Sequence, residues 1–188
     1  MDNVKEKIAI ASDHAGFQLK EKIKLNLEEN GYGVLDLGTT SEEAVDYPDY
    51  GKALAQNILK GNVKKGIALC GTGIGISIAA NRFTGIRAAL CSNKEMAIQA
   101  RKHNNANIIA LGARSIDFEC ANKCVDAFLN TEFEGERHIN RLEKIENKIL
   151  HNEDIDLENA VFNELNRQKY TIELIASENF ASRNVMRY

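Results

Sequence analysis

Long hydrophobic runs are absent from this chain of 188 residues. Its longest apolar stretches, such as 66–70 and 108–111, have the length of a strand, whereas a membrane span needs about 20 residues. The amino terminus also lacks the apolar core of a secretion signal, because Asp13 and His14 follow after only a few apolar residues. We therefore expect a cytoplasmic protein with no membrane partner.

An excess of positive charge is missing as well. The chain carries 24 Lys and Arg against 27 Asp and Glu, for a formal net charge of -3, and the whole acidic excess lies in residues 152–188. Because non-specific nucleic-acid binding depends on many cationic contacts to phosphate, we expect no nucleic-acid partner. The four cysteines do not suggest a disulfide framework, since the cytoplasm keeps thiols reduced.

The rest of the composition is that of a folded domain, with 44% hydrophobic and 27% charged residues. The length fits one domain plus an excess too short to form a second. From residue 7 to about 130, short apolar runs alternate with amphipathic stretches, which predicts βαβ units around a parallel sheet. The predicted strands are 7–12, 33–37, 66–70, 86–91 and 106–111. The predicted helices are 17–30, 50–60, 74–82, 94–103, 116–129 and about 136–150.

Polar residues follow three of the predicted strands. Ligands of open parallel sheets bind beyond the carboxyl ends of the strands, so Asp13, Cys70 and Arg114 should face one crevice. The run CGTGIGIS places three glycines at alternate positions between a strand and a helix, where backbone N–H groups favour an anion. Its spacing is neither that of a dinucleotide fingerprint nor that of a Walker loop. A tight strand-to-helix turn is the alternative interpretation.

Cys70 comes directly before this glycine loop. A thiolate near a helix N-terminus and several amides is stabilised, which suits a base or a nucleophile, although a small buried core residue is the alternative. His14 and His103 stand at loop positions, where an imidazole either transfers protons or is simply solvated. Two cysteines spaced i,i+4 do not supply enough ligands for zinc, so we expect the remaining cysteines to serve packing. They are Cys91, Cys120 and Cys124.

Arg137 and Arg141 are spaced i,i+4 on the last predicted helix and so should face the same side. The i±3 and i±4 neighbours of Arg141 include no carboxylate, so another group should neutralise its charge. A substrate phosphate would do so through charge-assisted hydrogen bonds. The alternative is an exposed arginine pair that solvent and salt screen.

Five separated motifs resemble the type B ribose-5-phosphate isomerase family. They are SDHAGFQLK, DYPDY, CGTGIGISIAANRFTGIRAAL, HNNANIIALGAR and GERHINRLEKI, and together they cover roughly residues 5–149. The resemblance implies an α/β fold, a three-layer α/β/α Rossmann-like sandwich with a five-stranded parallel sheet. It also implies a homodimer that interconverts ribose 5-phosphate and ribulose 5-phosphate without a metal or a cofactor.

The resemblance also implies roles for individual residues. Cys70 resembles the base that moves a proton between C1 and C2 through an enediolate, and His103 resembles the acid that opens the sugar ring. The hole for the oxyanion corresponds to the Thr72 hydroxyl and the amides of Gly71, Thr72, Gly73, Ile74 and Gly75. The sugar-binding positions correspond to Asp13, His14 and Asn104, and the substrate- and phosphate-binding positions to Arg114, Arg137 and Arg141. In this family the site lies at the subunit interface, so His103 and some arginines would face the Cys70 of the partner subunit.

The tail resembles a different family. NELNRQKYTIELIASENFASRNVM is similar to the N-terminal arm of serine hydroxymethyltransferase, but the catalytic body and the cofactor-binding lysine are missing from this chain. We therefore expect an isomerase domain at 1–150 and, at 151–188, a helical arm that is not an independent domain. A truncated bifunctional gene and the remnant of a fusion would both explain such an arm.

Two other functions compete with pentose-phosphate isomerisation. One is the isomerisation of galactose or allose 6-phosphate, since the sequence does not fix the length of the sugar. The other is a non-catalytic module that binds a phosphorylated ligand with the same glycine loop and arginines. The second predicts that Cys70→Ala still binds ligand and that the wild-type chain shows no turnover.

Overall fold

A computed structural model describes residues 5–146 of the chain. The strands are β1 (Lys5–Ser12), β2 (Tyr32–Asp36), β3 (Lys65–Cys70), β4 (Ala88–Leu90) and β5 (Ile108–Gly112). The helices are α1 (Phe17–Glu29), α2 (Tyr47–Leu59), α3 (Ile74–Ala80), α4 (Lys94–Asn104), α5 (Phe118–Asn130) and α6 (Ile139–Ile145). Two short 3-10 turns cover His14–Gly16 and Glu136–His138. The alternation of strands and helices predicted from the sequence is confirmed.

The five strands form one parallel sheet in the order β2-β1-β3-β5-β4. The three strands that the sequence predicts to end in polar residues, β1, β3 and β5, are therefore neighbours. In the register of β3 with β5, Cys70 stands opposite Gly112. The ends of these strands thus meet at one edge of the sheet, which is where the crevice is expected.

Helices cover both faces of the sheet. On β1, Ile8 and Ile10 belong to a core cluster with α1, α4 and α5, whereas Ala9 and Ala11 belong to a second cluster with α2 and α3. This alternation follows from the two-residue period of a strand, and a strand buried on both faces is apolar throughout. The expected three-layer α/β/α Rossmann-like sandwich is confirmed.

Two elements differ from the predicted bounds. Helix α2 begins at Tyr47 rather than at residue 50, because Asp46 is extended at the N-cap position and Pro48 suits the first turn of a helix. Strand β4 is only three residues long, although residues 86–91 were expected. The Asn107 side chain accepts from the Arg87 N–H at 2.8 Å and so occupies a group that a longer strand would use.

The last predicted helix is also corrected. Instead of one continuous helix from residue 136, a 3-10 turn at Glu136–His138 precedes α6. The turn follows Gly135, whose φ is +70°, and begins at Glu136, whose φ is +45°. Arg137 therefore lies in the 3-10 turn and Arg141 in α6. The prediction that the two share one α-helix is wrong.

Residues 5–142 belong to one compact unit, and every predicted site residue lies in it. The expected hydroxymethyltransferase-like arm at 151–188 lies outside the described residues, so that assignment stays a prediction. Within residues 5–146, every helix is too short or too polar to cross a lipid bilayer.

Candidate active site

Backbone hydrogen bonds connect three loops at the carboxyl ends of the strands, which we call the carboxyl edge of the sheet. The N–H of Ala113 donates to the Cys70 carbonyl at 2.9 Å, and the N–H of Arg114 donates to the Gly71 carbonyl at 2.9 Å. The N–H of Asp13 donates to the Leu69 carbonyl at 3.3 Å. The predicted residues at the ends of β1, β3 and β5 are thus brought together. We call this set the carboxyl-edge half-site. It consists of Asp13, His14, Cys70, residues 71–75 and Arg114.

Cys70 is the innermost member of the carboxyl-edge half-site. It is only 4% exposed and packs in the core cluster beneath α2 and α3. The Gly73 N–H donates to its Sγ at 3.1 Å, an arrangement that accommodates negative charge on sulfur. Cys70 is therefore a buried core residue whose sulfur also faces a backbone amide, and its role as a base stays a prediction.

The glycine loop passes over the end of β5. This close approach is possible because Gly73 in the loop and Gly112 at the end of β5 lack a side chain. Gly73 has a φ of +76°, and a Cβ there would lie 2.6 Å from Leu90 Cδ1. A Cβ on Gly112 would lie 2.6 Å from the Thr72 carbonyl oxygen. The loop also bonds internally, since the Ile74 N–H donates to Thr72 Oγ1 at 3.3 Å.

Two large side chains border this loop. The Arg114 guanidinium packs on Gly71, where a Cβ would be 3.4 Å from its Cζ. The Tyr47 ring packs on Gly75 so closely that a Cβ there would lie 2.6 Å from the ring. Tyr47 is 40% exposed and was missed as a site residue, although its motif DYPDY carried part of the resemblance. Its position at the start of α2 becomes informative only once α2 and α3 are known to be adjacent.

Asp13 and His14 are held by the backbone around them. One Asp13 oxygen accepts from the Gly16 N–H at 3.0 Å, and the residue is 5% exposed. His14 Nδ1 lies 3.1 Å from the Val45 carbonyl oxygen and 3.2 Å from the Val45 amide nitrogen. Because Nδ1 is engaged with Val45 in either tautomer, Nε2 is the nitrogen that can contact a ligand.

His103 and Asn104 lie at the opposite edge of the sheet. They end α4, which returns from the carboxyl end of β4 to the amino end of β5. Strand β5 spans about 13 Å at roughly 3.3 Å per residue, and its far end is the one that faces Cys70. A general acid and the atom it protonates must be within hydrogen-bond reach. One subunit therefore does not bring Cys70 and His103 within reach of one bound sugar.

The amino-edge residues form a cluster of their own. His103 stacks on His138, with ring centroids 4.5 Å apart, and its Nε2 lies 3.7 Å from Glu134 Oε2. Arg137 Nε donates to His138 Nε2 at 3.4 Å. We call this set the amino-edge half-site. It consists of His103, Asn104, Glu134, Arg137, His138 and Arg141.

The charges of the amino-edge half-site act on one another. A hydrogen bond from Lys102, together with the nearby positive groups, lowers the pKa of Glu134. Burial, followed by the positive charges of His103, Arg137 and Arg141, lowers the pKa of His138. Sequence reasoning missed both Glu134 and His138. The i,i+4 spacing of these two residues was the signal available, but it does not show that His103 lies beside them.

The three other cysteines serve packing, as predicted. Cys91 and Cys124 are buried in the core cluster beneath α4 and α5, and half-buried Cys120 packs against it. Burial raises the pKa of Cys91 to about 11, and burial with the nearby Cys120 raises that of Cys124 to about 12. Thiols of this kind stay protonated and are poor nucleophiles.

Fold and site together define the class of this protein. It is a Rossmann-like α/β protein with a buried cysteine, a glycine loop and an arginine at the carboxyl edge of its sheet. Residues 8–145 match the family described as Ribose/Galactose Isomerase. The chain belongs to this family.

Named relatives and solved structures are similar over the same region. The chain is 48% identical over 140 residues to ribose-5-phosphate isomerase B of Escherichia coli, which covers 74% of this chain and 94% of that protein. A ribose 5-phosphate isomerase structure from Thermotoga maritima is 58% identical with a TM-score of 0.74, over 75% of this chain and 97% of that one. The ribose-5-phosphate isomerase B structure from Clostridium thermocellum is 50% identical with a TM-score of 0.74, over 74% and 95%.

Proposed function

We propose that the chain is an aldose-ketose isomerase that interconverts ribose 5-phosphate and ribulose 5-phosphate. The observation that carries this proposal is the position of Cys70, buried at the end of β3 with the Gly73 N–H directed at its sulfur. The relatives named above support the choice of substrate, because they are called ribose-5-phosphate isomerases and align over nearly their full length.

The first proposed step opens the sugar ring. His103 donates a proton to the ring oxygen while the bond between C1 and that oxygen breaks. The C1 hydroxyl loses its proton to solvent, and an aldehyde forms at C1. Imidazole suits this step because it exchanges protons near neutral pH.

The second proposed step moves a proton from C2 to C1. The Cys70 thiolate takes the C2 proton, the electron pair forms a C1–C2 double bond, and O1 becomes an oxyanion. O2 then passes its proton to O1, and Cys70 returns its proton to C1 as the carbonyl forms at C2. Amides of residues 71–75 and the Thr72 hydroxyl hold the oxyanion, an effect worth about 3 kcal/mol per donor in other enzymes. The chain's own groups supply every role in this scheme, so we propose no metal or cofactor.

The substrate phosphate is assigned to the arginines. Arg114 lies beside Gly71 in the carboxyl-edge half-site, and exposed Arg137 and Arg141 lie in the amino-edge half-site. Guanidinium groups bind phosphate through two parallel charge-assisted hydrogen bonds. Asp13, His14 and Asn104 would contact the sugar hydroxyls.

We propose a homodimer, because only a second copy can unite the two half-sites. A two-fold axis perpendicular to the strands turns the partner's sheet around, so that its amino edge lies beside the carboxyl edge of the first subunit. Exposed apolar side chains on α3, on strand β4 and on α4 suit such an interface. They are Ile74, Ile78, Leu90 and Met96.

A coupled assay that follows ketose formation from ribose 5-phosphate tests the proposed function. Wild type should turn over, and Cys70→Ala should lose about 100-fold or more in kcat, as expected for loss of a general base. Cys120→Ser is the matched control and should stay within about twofold of wild type, since Cys120 packs on the core cluster of the opposite sheet face from Cys70. A Cys70→Ala variant as fast as wild type would refute the assignment of the base.

The same assay separates the two competing functions. Turnover of galactose or allose 6-phosphate without turnover of ribose 5-phosphate would assign a six-carbon substrate. Binding of ribose 5-phosphate by both wild type and Cys70→Ala, with no turnover by wild type, would assign a binding module instead.

A further inference from the structure

The amino-edge half-site contains a stacked pair of imidazoles. The rings of His103 and His138 are nearly parallel, with an interplanar angle of 9° and centroids 4.5 Å apart. The Nε2 atoms of His103 and His138 lie 3.7 and 3.9 Å from the same oxygen of Glu134. The backbone joins the two segments, since the Glu134 N–H donates to the Lys102 carbonyl at 3.1 Å. One carboxylate thus faces both rings.

The two imidazoles differ in exposure and in hydrogen bonding. His138 is buried, at 4% exposure, whereas the His103 side chain is 36% exposed. Because Arg137 Nε donates to His138 Nε2, that nitrogen is an acceptor and carries no proton. His138 is therefore the neutral member of the pair, which agrees with its lowered pKa. His103 is the member of the pair that solvent and substrate can reach.

A metal ion is the competing interpretation of this cluster. His103, Glu134 and His138 offer ligand atoms within 4.8 Å of one another, a donor set that Zn²⁺ accepts. Positive groups surround the cluster, however. Lys102 Nζ lies 3.1 Å from Glu134 Oε1, and Arg137 and Arg141 act on His138. Because these groups repel a dication, the arrangement favours proton donation over metal binding.

We infer that Glu134 and His138 are positioning residues that act through His103: the Glu134 carboxylate retains the proton of His103, and the stacked His138 ring fixes its plane. This inference rests on the proposed function, in which His103 donates a proton to the ring oxygen. Charged and titratable groups on the neighbouring segments complete the environment of His103. They are Lys102, Glu134, Arg137, His138 and Arg141.

A double-mutant cycle tests this inference. In the wild-type background, Glu134→Gln should lower kcat for ribose 5-phosphate by about tenfold, a fraction of what general acid catalysis contributes. In the His103→Ala background, the same substitution should change kcat by less than about twofold, because the group through which it acts is gone. Glu136→Gln is the matched control, an exposed glutamate two residues further along the chain, and should leave kcat unchanged.

The ring of residue 138 is tested separately. His138→Phe keeps a flat ring for stacking and should retain more activity than His138→Ala, which removes the stack.

In Glu134→Gln, the alkaline limb of the rate profile should move to lower pH. An NMR titration should also show that the His103 ring gives up its proton at lower pH than in wild type. Circular dichroism confirms that each variant is folded.

Several outcomes would overturn the inference. One is equal losses from Glu134→Gln in both backgrounds, because these would indicate a purely structural role. Another is an unchanged His103 titration. Loss of wild-type activity after dialysis against a chelator, with recovery on adding Zn²⁺, would establish the metal interpretation instead. The NMR titration needs no turnover, so a wild-type chain without isomerase activity would refute the proposed function while the titration still decides the role of Glu134.

Discussion

The Gly73 N–H donates to the sulfur of Cys70 at 3.1 Å, and it does so from a backbone conformation that only glycine adopts without strain. Leu90 and the end of β5 both crowd the position that a Cβ on this residue would take. The geometry around the proposed base therefore depends on one missing side chain.

Gly73→Ala should lower both stability and activity. A Cβ would lie 2.6 Å from Leu90 Cδ1 and 2.8 Å from the Leu111 carbonyl carbon, so the loop must shift away from Cys70. We expect a loss of about 3 kcal/mol in the free energy of unfolding, from strain and overpacking together. We also expect at least about a tenfold loss of kcat, because the N–H that donates to the Cys70 sulfur is displaced, and loss of one preorganised donor has an effect of at least this size in other enzymes. Denaturant unfolding and the coupled assay measure the two effects.

Gly31→Ala is the control for that experiment. Gly31 also has a positive φ, of +81°, but a Cβ there meets nothing within 4 Å. It should cost only about 1 kcal/mol and leave kcat unchanged, because only the conformational strain remains. Equal effects of the two substitutions would contradict the role given to crowding around Gly73.

Hybrid dimers should recover activity from two inactive variants. Cys70→Ala and His103→Ala each disable both sites of a homodimer that shares its sites between subunits. A mixed dimer keeps one site with both residues intact, so random mixing should restore about a quarter of wild-type activity. The measurement is the coupled assay after the two variants are unfolded together and refolded. If activity does not return, Cys70 and His103 do not act in sites shared between subunits.

Much of the fold is predictable from the sequence because its signals are local. The apolar runs that form β1, β3 and β5 carry their polar residues directly after them, so strand pattern alone assigns Asp13, Cys70 and Arg114 to one edge of the sheet. The cysteine-glycine run is recognisable for the same reason. These features need only the strand period and the parallel direction of the sheet.

The rest of the site depends on the path of the chain in space. His103 lies at the amino edge because α4 runs back against the strands, and no pattern within its own segment states that. Its contacts with Glu134 and His138 bridge about 30 residues of sequence. Arg137 lies outside α6 because Gly135 and Glu136 have positive φ angles. A positive φ is unusual for a residue with a side chain such as Glu136.

Acid should weaken the fold through the ion pair between buried Lys20 of α1 and partly exposed Asp36. Lys20 is fully buried, and its Nζ lies 2.7 Å from Asp36 Oδ2, with Lys24 Nζ at 3.1 Å. Burial opposes ionisation of Asp36, but hydrogen bonds from Lys20, the Gly38 N–H and Lys24 outweigh it and lower its pKa below the ordinary 3.8. A carboxyl group whose pKa is lower in the folded state stabilises the fold above its unfolded pKa. This contribution is lost as the pH falls through the folded pKa.

Asp36→Asn should therefore reduce the free energy of unfolding by about 2 kcal/mol at neutral pH. Breaking a fully buried ion pair typically costs roughly 3–5 kcal/mol. The smaller value is expected here because Asp36 is partly exposed. The difference from wild type should shrink as the pH falls below about 4, where the wild-type carboxyl group also becomes protonated. Denaturant unfolding across this range measures both effects. Asp126→Asn, on the exposed face of α5, is the control and should cost less than about 0.5 kcal/mol. A deficit for Asp36→Asn that stays constant with pH would show that the charge of Asp36 is not what stabilises Lys20.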